Sequence, residues 1–565
     1  MAEYLSPGVY VEEYDNSPRT IEGVGTSTAG FVGFAEKGPV TGAPLLCGSY
    51  KAFIAQFGGY LSEFEFGENR YLAPSVEQFF ANGGTRCYVM RVAPPDAECA
   101  SAKKGVLTVK AKNPGKWGNR IQVTVTPVKN RKLQIMEKTA AGYKVRSVDG
   151  FREGDTVEFE GAFFNIVTIM DNIVTFDQDL PDKAIDNALV PKNVVLLSNF
   201  DVTVRFADQV EVYNDLSLNI SSPRFLGARL AASELVDIEI NAPESAADPV
   251  AAILENDGTE GSFLLEGGTN GSMKKVNAGT FIGSDDGPGK RSGIQAFLEN
   301  TTVSMMAVPG ITIPEVIVSL ISHCENTRSR FAVLDMPKEL YKTKDLLEFR
   351  SMVDSTYAAM YHPWVQVFDR ASNKAAFIPP SGAVMGVYSR TDISRGVHKA
   401  PANEVVMCTG LSFNYTKEEQ DILNPEGVNL IRALPGQGIR IWGARTASSN
   451  SSFRYVNVRR LFIFVEESIK ANTNWVVFEP NDQTLWQRVS LTVSSFLDGL
   501  WRNGMLAGGT ASESYFVEIG PSTMSRDDIM GGRLICNIGI APSRPAEFVI
   551  FRVTQHTAEA GGGEG

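Results

Sequence analysis

The sequence predicts a multidomain protein that combines the α/β and α+β classes. It has an α/β body interrupted by an all-β insertion, then a small C-terminal α+β domain, with extended arms at the chain ends. Three observations carry that reading. Helical and strand-like patterns alternate over residues 23–100 and again over 211–447, as an open, largely parallel sheet covered by helices requires. Helical periodicity vanishes over residues 101–210. The last stretch, Gly532 to Thr554, holds two apolar runs, Leu534 to Ile540 and Phe548 to Val553, with Pro542 and Pro545 between them. Two prolines leave no room for a helix, so the runs read as two strands joined by a stiff corner.

Taken in order, residues 1–22 form an arm. Tyr4, Val9, Tyr10 and Val11 favour extended backbone, Pro7-Gly8 breaks any helix, and Glu3, Glu12, Glu13, Asp15 and Glu22 face Arg19 alone. Such a segment is too short and polar to build its own core, and about ten extended residues reach ~33 Å, enough to cross to a neighbour. Thr28 to Ala35 reads as a glycine-interrupted buried strand, Ala73 to Asn82 as a helix stopped by Gly83-Gly84, and Arg86 to Val92 as a strand.

Within 101–210, Val106 to Val109, Ile121 to Val125, Thr156 to Phe159, Phe163 to Ile169 and Ile173 to Phe176 are short alternating runs, with a hairpin turn at Asp171-Asn172. Ser222-Pro223 opens a predicted helix running to about Ser233. Helices over Ile294–Glu299 and Val316–Asn326 alternate with strands at Val303–Val308, Phe331–Leu334 and Val365–Phe368.

Ser448 to Ser452 reads as a polar linker opening the C-terminal domain, residues 448–565. Its first helix aligns Val458, Leu461, Phe462, Val465 and Ile469 in one stripe, and leaves Arg454, Arg459, Arg460 and Lys470 mostly off it. The second helix runs from about Thr484 to Asn503, with Asn481 or Asp482 as its cap and Gly504 at its stop.

The chemistry is sparse. Six cysteines include no Cys-x-x-Cys pair, and four histidines form no zinc-spaced cluster, so no metal and no cofactor are expected. Gly-x-Ser-x-Gly is absent, and Gly283 to Lys290 fails as a phosphate loop because Ser284 replaces a required glycine and Arg291 the hydroxyl residue. The carboxylate pairs are adjacent in sequence and diverge, so no catalytic residues are expected. A net charge of −12 disfavours nucleic acid and anionic membranes. No run approaches the ~20 apolar residues of a membrane span, and the N-terminus lacks a signal peptide, so a cytoplasmic folding site is expected.

The remaining motifs carry a resemblance. Tyr4 to Glu13 with Gly30 to Pro39, Pro114 to Asn119, Leu265 to Gly271, Pro379 to Gly382, Arg390-Thr-Asp392, Gly396 to Asn403, Asn457 to Leu461, Phe478-Glu-Pro-Asn481 and Ala541 to Phe548 resemble, in order, the sheath proteins of contractile phage tails and related contractile injection systems. Lys399 stands where an arginine is commoner, and residues 125–210 carry no resemblance.

The resemblance implies a mechanical, non-enzymatic subunit. Identical subunits form stacked hexameric rings, a helical homo-oligomer around an inner tube protein, with baseplate, terminal cap and paralogous sheath subunits as further partners. The sheath assembles in the producing cytoplasm in an extended, metastable state, becomes part of a phage tail or injection particle, and contracts to drive the tube through a target envelope. The insertion faces outward and the C-terminal domain faces the tube.

On that reading Tyr4, Pro7, Gly8, Val9, Tyr10 and Val11 form the inter-subunit arm. Ile538, Ile540, Phe548, Val549, Ile550, Phe551 and Val553 form the C-terminal inter-subunit strands, and Arg454, Arg459, Arg460 and Lys470 are candidate tube contacts. Two rival readings are an α/β enzyme or ligand-binding protein using residues 211–440, and a surface-binding module in the β insertion.

Overall fold

Strand β1 (Thr28–Phe34) is buried at every position in a computed structural model, which describes residues 20–104, 107–128, 131–160, 162–185, 193–196, 199–240, 261–548 and 550. It anchors a nine-stranded sheet. The other strands are β2 (Leu45–Cys47), β3 (Arg86–Val92), β4 (Met305–Ala307), β5 (Phe331–Asp335), β6 (Ala358–His362), β7 (Glu404–Val405), β8 (Val428–Leu434) and β9 (Gly438–Ile441), in the order β2-β3-β1-β4-β5-β6-β8-β9-β7. The six strands from β3 to β8 run parallel, and β2, β9 and β7 are antiparallel additions. Each face has its own core: Ala29 and Phe31 point into one, Val32 and Phe34 into the other. Cover on both faces explains why these strands read as continuous apolar runs.

Helix α1 (Tyr50–Phe57) is capped by Ser49, and α2 (Leu72–Ala81) covers one face. Helix α3 (Pro314–Thr327) covers the other. Helix α4 (Ser381–Arg395) is the buried one, and the sequence reading missed it because it has no single apolar stripe. Its signal was Gly382 with Gly386, one turn apart. A Cβ at Gly382 would run into the Ser75 carbonyl oxygen, and one at Gly386 into that of Phe79, so the glycines let α4 lie directly on α2.

Two readings of the body change. Val365–Asp369 is a strand, but it belongs to a separate antiparallel sheet with Lys374–Ile378 and Gly410–Leu411; the parallel strand is β6, just before Pro363. The helix predicted from Ser222 to about Ser233 shortens to Leu226–Leu230, which serves as a lid over the β region through buried Leu226 and Leu230.

Among the described residues the β region comprises three sheets. Ser101–Lys104, Leu107–Ala111 and Val236–Ile240 form one, and Gln122–Pro127, Asn199–Phe206, Gln209–Ser217 and Gly261–Leu264 form a second. Six strands between Lys132 and Leu196 close into a barrel with its own core around Leu133, Val157, Phe164 and Val174. Residue 210, the expected return to the body, falls inside the hairpin of the second sheet, and strands as late as Gly261–Leu264 remain on the β side. Asp171 adopts φ 52° in the predicted hairpin turn.

After these come helix α5 (Val456–Asn472) and helix α6 (Gln483–Arg502), the latter capped by the Asp482 side chain accepting from Leu485 N at 2.9 Å. A two-stranded antiparallel sheet, β10 (Tyr515–Ile519) and β11 (Cys536–Ile540), packs on α6 through Val517, Ile519, Ile538 and Ile540.

Candidate functional site

Among the described residues no pocket with converging chemistry dominates the body. Its natural place would be the crevice where strand order reverses, between the carboxyl ends of β1 and β4. That end is packed shut. Tyr71 and Trp364 meet edge to face at 4.9 Å, and the Trp364 indole donates to Met336 O at 2.8 Å. Asp335, at the end of β5, accepts from Ser381 N (2.8 Å), Ser381 Oγ (2.7 Å) and Gly310 N (3.0 Å), which fixes the start of α4. Burial pushes the Asp335 carboxyl up to about 6, with those hydrogen bonds pulling the other way. His362 is held by Tyr415 Oη at 2.8 Å and His323 by Arg330 at 3.1 Å, and burial pushes both imidazoles down to about 3. Arg291, in the glycine-rich turn, is occupied by Asp285 and Glu299.

The polar chemistry gathers instead at joints. At the neck of the β region, Asn119 Nδ2 donates to Gly268 O and Gly268 N donates to Asn119 Oδ1, both at 2.8 Å. Arg91, buried at the end of β3, donates to Ala35 O, Gly38 O and Pro114 O at 2.9, 2.9 and 2.8 Å. Two motif blocks 149 residues apart thus meet at one point.

The larger joint seats α5 on the body. Arg460 grips Asp392 of α4 through two nitrogens, at 2.9 and 2.6 Å, and donates to Thr26 O at 3.0 Å. Thr26 Oγ1 returns a hydrogen bond to Asp392 Oδ2 at 2.7 Å, and the guanidinium lies 4.8 Å from the Tyr388 ring. Both members of the pair are under 5% exposed, at 4% and 3%. A charge pair this deep holds because its hydrogen-bonding groups are satisfied. Arg459 is buried beside it, stacked 4.4 Å from Tyr357 and 3.6 Å from Phe453.

Arg459 and Arg460, expected from the sequence to be tube contacts, are both buried within the subunit and engaged there by Tyr357, Phe453 and Asp392. Arg454 and Lys470 are exposed, Lys470 pairing with Glu467 at 3.2 Å.

Two chain segments are strapped across this joint. The incoming one runs along α5: Ile21 enters the C-terminal core, Asn472 Nδ2 donates to Glu22 O at 3.0 Å, and Val24 N donates to Ser468 Oγ at 3.1 Å. The outgoing one leaves β11. Asn457 Nδ2 holds Ser543 O at 3.1 Å, and Glu547 then accepts from Arg445 (2.9 and 2.5 Å) and Asn424 (3.2 Å) on the body and from Tyr455 Oη (3.1 Å) at the start of α5. Burial alone would push Glu547 up; those hydrogen bonds outweigh it and hold the carboxyl below the usual glutamate range.

Of the two runs read as closing strands, only the first forms a strand among the described residues. β11 pairs with β10, which the sequence reading missed, and Phe548 and Ile550 belong to no strand among the described residues. Both side chains stand in solvent, at 75% and 78% exposure. Val549, Phe551 and Val553, like Tyr4, Pro7, Gly8, Val9, Tyr10 and Val11, lie outside the described residues.

The chain is thus a multidomain α/β protein whose body is closed at its strand ends, with polar residues concentrated at joints and chain segments strapped across them. Residues 287–447 match the phage tail sheath protein central domain and residues 448–556 the phage tail sheath C-terminal domain. The chain is 26% identical to a prophage major tail sheath protein of Pseudomonas aeruginosa (strain UCBPP-PA14) over 291 residues, which is 49% of this chain and 73% of that protein. It is 25% identical to the tail sheath protein of Escherichia phage P2 over 48% of this chain and 69% of that one. Among solved structures, the sheath complex of an extracellular contractile injection system in the contracted state shares the fold over 98% of this chain and 99% of its own, with TM-score 0.54 and 21% identity. A sheath tail protein from Listeria innocua shares it over 93% and 96%, with TM-score 0.53 and 13% identity.

Proposed function

We propose that this chain is the structural subunit of a contractile sheath, in which copies stack as hexameric rings around an inner tube, assemble in an extended, metastable state and shorten to drive the tube through a target envelope. The observation that carries this reading is the small C-terminal sheet. Among the described residues β10 and β11 pair only with each other, so each offers an open edge. A two-stranded sheet is marginal alone, and strand addition from another subunit satisfies its edges while side-chain alternation sets the register.

Residues 4–11 supply one such strand and the segment from Phe548 to Val553 the other. Because both are strapped across the α5 joint before they leave, tension in the mesh is delivered to the Arg460–Asp392 pair and to Arg445–Glu547. The subunit needs no catalytic step, cofactor or metal of its own, since contraction draws on contacts between bodies that improve in the short state. The β region projects outward, and Arg454 and Lys470 remain as tube contacts. Baseplate and cap proteins end the helical array, which is built in the producing cytoplasm before it becomes part of a tail or injection particle.

Electron microscopy of the purified chain, alone and with its tube protein, tests the proposal: it predicts cylinders of stacked rings. A strictly monomeric protein with a saturable small-molecule site would overturn it.

A further inference from the structure

Strand β2 is the outer strand of the body sheet and only three residues long. Its last residue, Cys47, lies directly opposite Cys87 of β3 in the antiparallel register, and both are fully buried. Directly opposed residues in such a ladder have Cα atoms roughly 4.5–5.5 Å apart, inside the roughly 4.4–6.8 Å range that a disulfide bridges. Cys47 Sγ donates to Gln56 Oε1 of α1 at 3.5 Å, and burial, with the neighbouring Cys47 sulfur, pushes the Cys87 thiol well above its ordinary value. In the reduced protein the Cys87 thiol is therefore held in its neutral form, and both cysteines are shielded by a short edge strand.

We propose that Cys47 and Cys87 form a cross-strand disulfide when the protein meets a small-molecule disulfide oxidant, and that this bond locks the outer strand onto the body sheet. The exchange balances in two steps. One cysteine, as thiolate after local release of β2, attacks a sulfur of the oxidant; a mixed disulfide forms and one oxidant thiol leaves. The second cysteine then attacks the protein sulfur of that mixed disulfide, and the other oxidant thiol leaves. Two thiols of the protein are oxidised and one small disulfide is reduced to two thiols.

The site needs no assembly partner and stands independently of the sheath reading. It matters most once the protein is outside a reducing cytoplasm, where disulfides persist. The bond would close a loop from 47 to 87 and so restrict the unfolded chain, while the other cysteines have no such facing partner among the described residues.

The test incubates the full chain with oxidised glutathione, quenches with acid, alkylates under denaturing conditions and maps peptides by mass spectrometry. The expected result is a reducible crosslink between the Cys47 and Cys87 peptides, two hydrogens lighter than the pair, and a thermal midpoint raised by several degrees. Both are expected to disappear in Cys47→Ser and in Cys87→Ser. The wild-type alkylation pattern decides the matter even if a variant folds poorly. Recovery of Cys47 and Cys87 as free thiols after prolonged oxidation of the folded chain would overturn the proposal. So would a stable glutathione adduct on either one, or a crosslink that joins Cys99, Cys324, Cys408 or Cys536 instead.

Discussion

The body sheet ends in strands of three and two residues, β2 and β7, whereas the C-terminal sheet presents five-residue strands on both sides. Short edges are how soluble proteins keep a finished sheet from recruiting strangers, and longer open edges invite a strand. The burial patterns agree. β1 and β5 are buried at every position; β10 alternates between half-buried and exposed residues, with Phe516 and Glu518 outward. One region is complete within the chain and the other is built to be completed, which separates the residues that make the fold from those that make an assembly.

The largest effect expected on folding lies where the two regions meet. Asp392→Ala leaves Arg460 buried without its partner and should cost about 3–5 kcal/mol, read as a lower urea midpoint by the fluorescence of the C-terminal tryptophans. Asp392→Leu with Arg460→Met should recover most of that loss. If the single variant unfolds like wild type, the joint is not the seat of the C-terminal domain. Inside the finished region, Gly386→Ala forces α4 off α2 and should cost about 1–3 kcal/mol, with the loss confined to the body. An unchanged urea midpoint would contradict the contact described for that glycine.

Acid separates the regions by sign. Glu547 has a lowered folded pKa, so its contribution is complete above the ordinary glutamate range and is lost as pH falls through the folded value. Asp335 has a raised one, about 6 against 3.8, so its share of stability grows as pH falls through 6 and is complete below 3.8. Glu547→Gln should flatten the acid side of the stability profile, and Asp335→Asn the interval between those two values. Identical profiles in both variants would contradict the assignment.

The smallest folding effect belongs to the exposed tail. Ile550→Asp should change stability by less than about 0.5 kcal/mol, yet reduce polymer yield in a sedimentation assay.

Much of the fold was legible because its signals are local. A cap at Asn481 or Asp482 for α6 and the apolar run of β5 each predict their element without help from the rest of the chain, and Asp482 is the cap observed. Helix α4 was not, since its apolar and glycine residues face neighbours all round and leave no stripe to read. β10 escaped for a related reason: Tyr515 to Ile519 is short and acquires its role only when β11 folds back on it.

Arg459 and Arg460 show the limit most clearly. A basic pair off an apolar stripe reads as a solvent face, and only the packing of α5 between Asp392, Tyr357 and Phe453 turns it inward. The motif blocks carried the family resemblance, but what Asn119, Asn457 and Asp392 do there emerged from the joints they occupy.

The most direct measurement of the central claim removes residues 1–19 and compares the truncated and full-length chains by negative-stain electron microscopy and by urea unfolding. The account predicts that the truncated chain keeps its unfolding midpoint, since Ile21 and the strap on α5 remain, and forms no ordered cylinders. Long, regular cylinders from the truncated chain would contradict it.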